Sequence, residues 1–494
     1  MKLIKRFLSY ICILLLLSCV MLTACDRTDN VESDGESKTN TETIEETDSM
    51  TQTSEETGTI TEVADESDTV TENINKSDET SIAFSKDKVN VTGVNVAGVT
   101  VDKNIVTINS AGTYRLSGNT SDGQVIVDAP DCKVKLILDN VSISYYNDSA
   151  IYIKDAKKTT IKLEKGSENT IISGKEVKVT KYTESDPDAS GAAVFSKKDL
   201  TISGYGTLNI GGYINNGIHS SKDLVIENGT IIVNAVNHGV KGKKSLTFEG
   251  GDITVSTNNT AFQSKEKLIV NAGKLSALFC TEGIEANEIE INGGEISLVS
   301  TDDGVNASDG TLQMPLITFN DGNLYINAGG DGIDSNGNII VNGGMIVVDG
   351  PVDNGNGPLD SGKENGGRLL INGGTVIAMG SSGMADTFDG ESAQCSIRYY
   401  TSNYYKDSVI TIKDSDGNEI YTQVAGKGGS SVVFSSPELI IGNTYTITVD
   451  KTSETVTLSD VSTDIGTAPF GGFFGPGGGP GGLGGPGDNK GQKK

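Results

Sequence analysis

Between Leu275 and Gly362 the chain carries 14 carboxylates and neither lysine nor arginine. Their spacing is repetitive. Glu282, Asp303 and Asp331 each precede a glycine followed by isoleucine or valine, and Glu285, Asn306 and Asp334 stand two places after that glycine. Asp360 reads as the next member of the first series. In a stacked repeat, like positions lie about 4.8 Å apart, where two carboxylates repel by about 1 kcal/mol in water and about 3–4 kcal/mol at an effective dielectric near 20. Such a column is relieved by splaying into solvent or by holding cations. Oxygen donors on glycine-rich turns suit Ca²⁺, which takes about six to eight oxygens. The densest run is Asp331-Gly332-Ile333-Asp334-Ser335-Asn336-Gly337, which lacks the closing glutamate of an EF-hand loop. Asp302, Asp309, Asp353 and Asp360 complete the candidate ligand set.

What must position these residues is a repeat. Coil starts at Gly217-Ile218, Gly239-Val240, Ala261-Phe262 and Gly283-Ile284 are spaced by 22 residues, and the pattern continues less evenly at Gly304-Val305 and Gly332-Ile333. Within each unit two short runs of β-branched and aliphatic residues flank a glycine turn, as in Leu246-Thr247-Phe248, Gly250-Gly251 and Ile253-Thr254-Val255. These are strand and turn signals, with no sustained spacing of three and four. At about 3.3 Å per residue, one unit traces roughly 70 Å, the path of one three-sided coil around a filled centre. The expected fold is all-β, a parallel β-helix. Asn271, Asn292, Asn320, Asn342 and Asn372 recur at one corner, where their amides could bond up and down the stack.

The domain expectation is a β-helix over 85–395, with a polar loop inserted at 173–190, and a β-rich closing region over 396–460 that caps the stack. Before it, 26–84 reads as an acidic Ser/Thr/Glu tether. Residues 26–80 hold 18 acids and 3 bases, too polar to bury a core. After it, 461–494 reads as a flexible Gly/Pro-rich tail. Lys2, Lys5 and Arg6 precede an apolar run from Ile11 to Val20, and Leu22-Thr23-Ala24-Cys25 resembles a bacterial lipoprotein signal over 1–25. The expectation is therefore a lipid anchor at Cys25 on the extracytoplasmic face of the membrane. Cys132, Cys280 and Cys395 are too far apart in sequence to suggest a disulfide framework or a zinc site. The folded part carries a net −15, which excludes nucleic acid as a partner. His219 and His238 read as exposed turn residues.

Taken in order, Gly112-Thr113-Tyr114, Asp199-Leu200-Thr201-Ile202, Asn216-Gly217-Ile218, the Asp303-Gly304 and Asp331-Gly332-Ile333-Asp334 turns, and Ser435-Ser436-Pro437-Glu438-Leu439 before Gly442-Asn443-Thr444-Tyr445 resemble a bacterial carbohydrate-binding β-helix family of pectate-lyase-like architecture. The resemblance implies a right-handed helix, bound Ca²⁺, and binding of acidic pectic chains or cellulose without turnover. Asn306 departs from the strongest turn pattern, where an acid stands. With no tryptophan in the chain, the stacking candidates for sugar are Tyr399, Tyr400, Tyr404 and Tyr405, with Tyr145, Tyr146 and Tyr152 on an early coil. The expected protein is a monomeric, calcium-dependent polysaccharide-binding lipoprotein. The alternatives are a Ca²⁺-dependent lyase with Lys363 or Arg368 as base, a two-carboxylate glycosidase, and a structural or adhesive surface protein.

Overall fold

The computed structural model describes residues 78–86, 88–175, 191–308 and 314–467. Cys25, Asp309, the tail from 468, and all but 173–175 of the loop expected at 173–190 lie outside them. The chain is a right-handed parallel β-helix. Short strands Ile218–Ser220, Val240–Gly242, Phe262–Ser264, Ile284–Ala286, Val305–Ala307, Ile333–Ser335 and Leu359–Ser361 pair in succession as one parallel sheet. Two further strands in each coil build the other faces.

Alternation within each strand sends one residue inward and the next outward. Leu224, Leu246, Leu268, Ile289, Ile317, Ile339 and Leu369 are successive register partners, and all are buried. Burying each such side chain contributes about 1.5–3 kcal/mol, and a slip of one residue would turn the whole set to solvent. The asparagine corner is a continuous ladder. Asn292 donates to Asn271 at 2.9 Å, Asn320 to Asn292 at 2.7 Å, Asn342 to Asn320 at 2.8 Å and Asn372 to Asn342 at 2.9 Å. The glycines two residues on, including Gly273, Gly294, Gly322, Gly344 and Gly374, have φ of +73° to +102°, a conformation that other residues adopt only at a cost.

Both ends of the stack are covered. The folded region begins earlier than expected, because Glu79–Ser85, assigned to the tether by composition, forms a strand that pairs with Gly112–Thr120. Ile82 and Phe84 on it are buried, and that burial outweighs the polar context. There Arg115 bonds Glu79 at 2.6 Å, Glu164 at 2.7 Å and Asp139 at 2.9 Å, drawing three passes of chain to one guanidinium. At the other end Gly429–Ser435 runs antiparallel to Thr375–Gly380, and Ser462–Gly466 extends the closing region beyond 460 by pairing with Ser396–Tyr404.

A candidate cation cluster on the outer face of the helix

Backbone bonds between coils fix one column. Ala261 N–H donates to Glu282 O, Gly283 N–H to Asp303 O, Gly304 N–H to Asp331 O and Gly332 N–H to Gly357 O. The close approach needs glycine, since a Cβ at Gly304 would stand 2.4 Å from Ile326 Cγ2 and one at Gly332 would stand 2.3 Å from Pro358 O. Glu282, Asp303 and Asp331 therefore stack as expected, but Asp360 does not join them. Leu359 pairs with Ile333, so Asp360 pairs with Asp334, and Gly357 occupies the place below Asp331. The apolar register sets this position, and the sequence expectation is corrected accordingly.

A second column of outward residues runs Tyr152, Phe195, His219, Lys241, Gln263, Glu285, Asn306, Asp334 and Asp360. It passes from aromatic through cationic and neutral to anionic. His219 and His238 are both buried, contrary to the expectation of exposed turns. Burial, with Lys241 and His219 nearby, holds the His238 imidazole well below its ordinary value.

Where the two columns meet, carboxyl oxygens of Asp303, Asp331 and Asp334 lie within 4.8 Å of one another. Asp303 Oδ1 accepts the N–H of Asp331 at 2.7 Å and Asp331 Oδ1 accepts that of Gly357 at 2.6 Å, so each coil orients the carboxylate before it. Glu285 Oε2 accepts from Gln263 at 2.7 Å and from Thr260 at 3.0 Å. Glu282 Oε2 and Asn306 Oδ1 are buried oxygens with no hydrogen-bond partner among the described residues. An all-oxygen set with unsatisfied acceptors fits a hard cation.

Burial first, with Asp303 and Asp360 adding to it, pushes the carboxyls of Asp331 and Asp334 up to about 7. Glu282 rises to about 8, first through burial and then through Glu285, Asp303 and Asp302. Asp360 rises to about 6 through burial and then Asp386. Raised in this way, these carboxyls hold protons near neutrality that an ionised, solvated cluster would have lost.

The remaining sequence candidates scatter. Asp302 is exposed and adds negative potential, and Asp353 accepts Gly355 N–H at 2.9 Å within its own loop. Glu288 and Glu290 are each bonded at 2.8 Å by Lys267 from the preceding coil. Sequence reading missed Asp386, whose spacing of 26 residues from Asp360 repeats that of Asp360 from Asp334. Tyr399 and Tyr404 are corrected, because both are packed in the closing region's core, with no ring face open to a ligand. Tyr400 lies under the Arg398 guanidinium at 4.8 Å, and Tyr405 is 75% exposed. Tyr152 stacks on Phe195 with ring centroids 5.7 Å apart, and Lys175 lies 4.7 Å over the Tyr146 ring.

A family model described as "carbohydrate-binding domain-containing protein" matches residues 102–277 and 257–468. A curated relative of that description from Acetivibrio thermocellus is 36% identical over 155 residues, 31% of this chain and 52% of the relative. The chain thus spans about half the length of that relative. A solved structure described as the polysaccharide lyase-like protein from C. thermocellum, a gadolinium derivative, is 27% identical with a TM-score of 0.39, covering 59% of this chain and 96% of that one.

Proposed function

Since the chain belongs to the family of carbohydrate-binding domain-containing proteins, we propose that it is a surface lipoprotein that binds acidic polysaccharide through Ca²⁺ without turning it over. The observation that carries this reading is the uncompensated cluster of Asp303, Asp331 and Asp334, extended by Glu282, Glu285 and the amide oxygen of Asn306. Those residues would hold the ion, and its charge would let a strongly acidic protein engage uronate carboxylates that it would otherwise repel. Binding is favoured over lyase chemistry because the nearest bases are already committed. Lys363 bonds Asp386 at 3.0 Å, and Arg368 bonds Asp389 at 3.0 Å and Glu391 at 2.6 Å.

The mature protein is expected to be retained on immobilised polygalacturonate in millimolar Ca²⁺ and released by chelator, and Asp331→Asn/Asp334→Asn is expected to be retained in neither. Failure of the unaltered protein to bind in Ca²⁺ would sink the reading. Appearance of unsaturated uronate absorbance would overturn its non-catalytic half. For the anchor, Cys25→Ser is expected to abolish incorporation of labelled palmitate and to move the protein from the membrane fraction to the medium. Unchanged labelling would place the lipid elsewhere.

A further inference from the structure

Charge along the stack is divided between its two halves. One corner of the helix lies between the strand series of Ile218–Ser220 and the inward series of Leu224, Leu246 and Leu268. On five successive coils that corner is formed by residues 154–158, 197–199, 221–223, 243–245 and 265–267, which hold ten lysines, four acids and no arginine. The lysine series ends at Lys267, on the coil before the carboxylate columns begin at Glu282. We infer that this corner binds a linear polymer of phosphates, laid along the helix axis and held by ammonium groups on successive coils. The site is separate from the Ca²⁺ cluster, and either can fail without the other.

The corners are locked in register. Ser221 N–H donates to Ser196 O at 2.7 Å, Lys244 N–H to Lys222 O at 3.2 Å and Lys265 N–H to Lys243 O at 3.0 Å. Buried serines that end the preceding strands also bond the turns. Ser196 Oγ and Ser220 Oγ both donate to Lys198 O, at 2.7 and 2.9 Å, and Ser264 Oγ donates to Lys244 O at 3.3 Å. A ladder so held presents its side chains about 4.8 Å apart, roughly 19 Å over five coils, and its backbone loses little further entropy on binding. Lys157, Lys158, Lys222 and Lys265 are exposed and form no ion pair with another described residue. Lys154, Lys198 and Lys244 bond Asp128, Asp155 and Asp223 at 2.7, 2.9 and 3.2 Å, but pairs this open to solvent are weak and leave the ammonium groups available to a ligand. Stacked like charges repel, and an anionic chain relieves them. Phosphate is preferred to carboxylate because an ammonium meets its tetrahedral oxygens as a point charge, whereas a planar carboxylate is matched best by the fork of arginine, which the corner lacks. A chain is preferred to a lipid surface because the lysines follow one edge of the helix. The net negative charge of the folded part averages this corner with distant acids. Asp303 stands four coils from Lys222, roughly 19 Å, more than twice the Debye length of about 8 Å at physiological salt.

The test is calorimetric titration of the mature protein with inorganic polyphosphate in chelator, repeated over a range of salt. Binding is expected without Ca²⁺ and should weaken steeply as salt rises. Lys157→Gln/Lys222→Gln/Lys265→Gln should weaken it about tenfold or more and reduce the slope of log affinity against log salt by about 2. Lys157→Arg/Lys222→Arg/Lys265→Arg should keep both, and both variants should melt with the parent. Asp331→Asn/Asp334→Asn should bind polyphosphate no more weakly than the parent. Equal affinity in the parent and the glutamine variant overturns the placement. Tighter binding of polygalacturonate than of polyphosphate in chelator overturns phosphate as the ligand class, and binding to phosphatidylglycerol vesicles but not to polyphosphate overturns the linear chain. Binding to none of the three in chelator overturns the site altogether, while Ca²⁺-dependent retention on polygalacturonate still decides the carbohydrate-binding reading.

Discussion

Chelating divalent cations at pH 8 is expected to lower the melting temperature by roughly 3 °C for each site that had been filled at a hundred times its Kd, and acidifying the cation-free protein to pH 5 is expected to restore much of the loss. The first figure follows from about 2.7 kcal/mol of linkage, against an unfolding entropy near 0.8 kcal/mol per degree for the roughly 370 described residues. The second follows from the direction of the shifts. Asp331 and Asp334 are raised from 3.8 to about 7, Asp360 from 3.8 to about 6, and Glu282 from 4.5 to about 8. Between those limits the folded, cation-free protein binds more protons than the unfolded chain. Its stability is therefore fully held below about pH 4 and is lost as pH rises through 6 to 8, the reverse of the usual carboxylate contribution. With Ca²⁺ present the trend inverts, because deprotonated ligands bind best at the higher pH. Asp331→Asn/Asp334→Asn should lose the cation effect and much of the pH effect, Glu282 and Asp360 keeping the rest, and should exceed the parent in stability in chelator at pH 8, since the neutral amides reduce the repulsion while position 331 keeps an oxygen for the Gly357 N–H. Superimposable pH–melting curves with and without Ca²⁺, measured by scanning calorimetry, would remove the cation from the account.

The second large effect belongs to Arg115. Replacing it by methionine leaves three carboxylates facing one another, and the Glu79 side chain is only 6% exposed. Removing one partner of a buried ion pair costs about 3–5 kcal/mol, or roughly 4–6 °C here. The loss should be local at first, with amide exchange accelerating in Glu79–Ser85 and Gly112–Thr120 before the central coils. Arg115→Lys should recover only part of it, because an ammonium cannot reproduce the two bonds to Glu79 at 2.6 and 3.1 Å. A methionine variant that melts within about 1 °C of the parent would show that the three acids find other partners or protonate at little cost.

The β-helix was legible because its determinants are local and periodic. Inward Leu and Ile, the turn glycines and the asparagine corner all recur at the coil length, so counting residues along the chain was enough to place them. The carboxylate columns were legible for the same reason as far as Asp334. They ceased to be where coils lengthen to 28 and then 26 residues between Val305, Ile333 and Leu359, because the position of Asp360 depends on how a loop is accommodated. Tyr399 and Tyr404 could not be assigned from composition, since Ser396–Tyr404 packs one side of the strand into the closing core. His219 faces outward yet is buried, a property of what covers the coil and not of its alternation. Arg115 gave no signal, because its partners stand 36, 24 and 49 residues away without a common period.

The asparagine ladder has an evolutionary consequence. Its amide bonds, like the inward aliphatic columns, join each coil to the next with nearly the same residues, so a whole coil is an interchangeable part. Duplication or deletion of one coil in the gene would preserve every inward contact and every rung type while changing the number of outward carboxylates. Ligand valence can therefore drift by whole steps under selection while the scaffold stays constant, and each new coil begins as a copy already competent to fold.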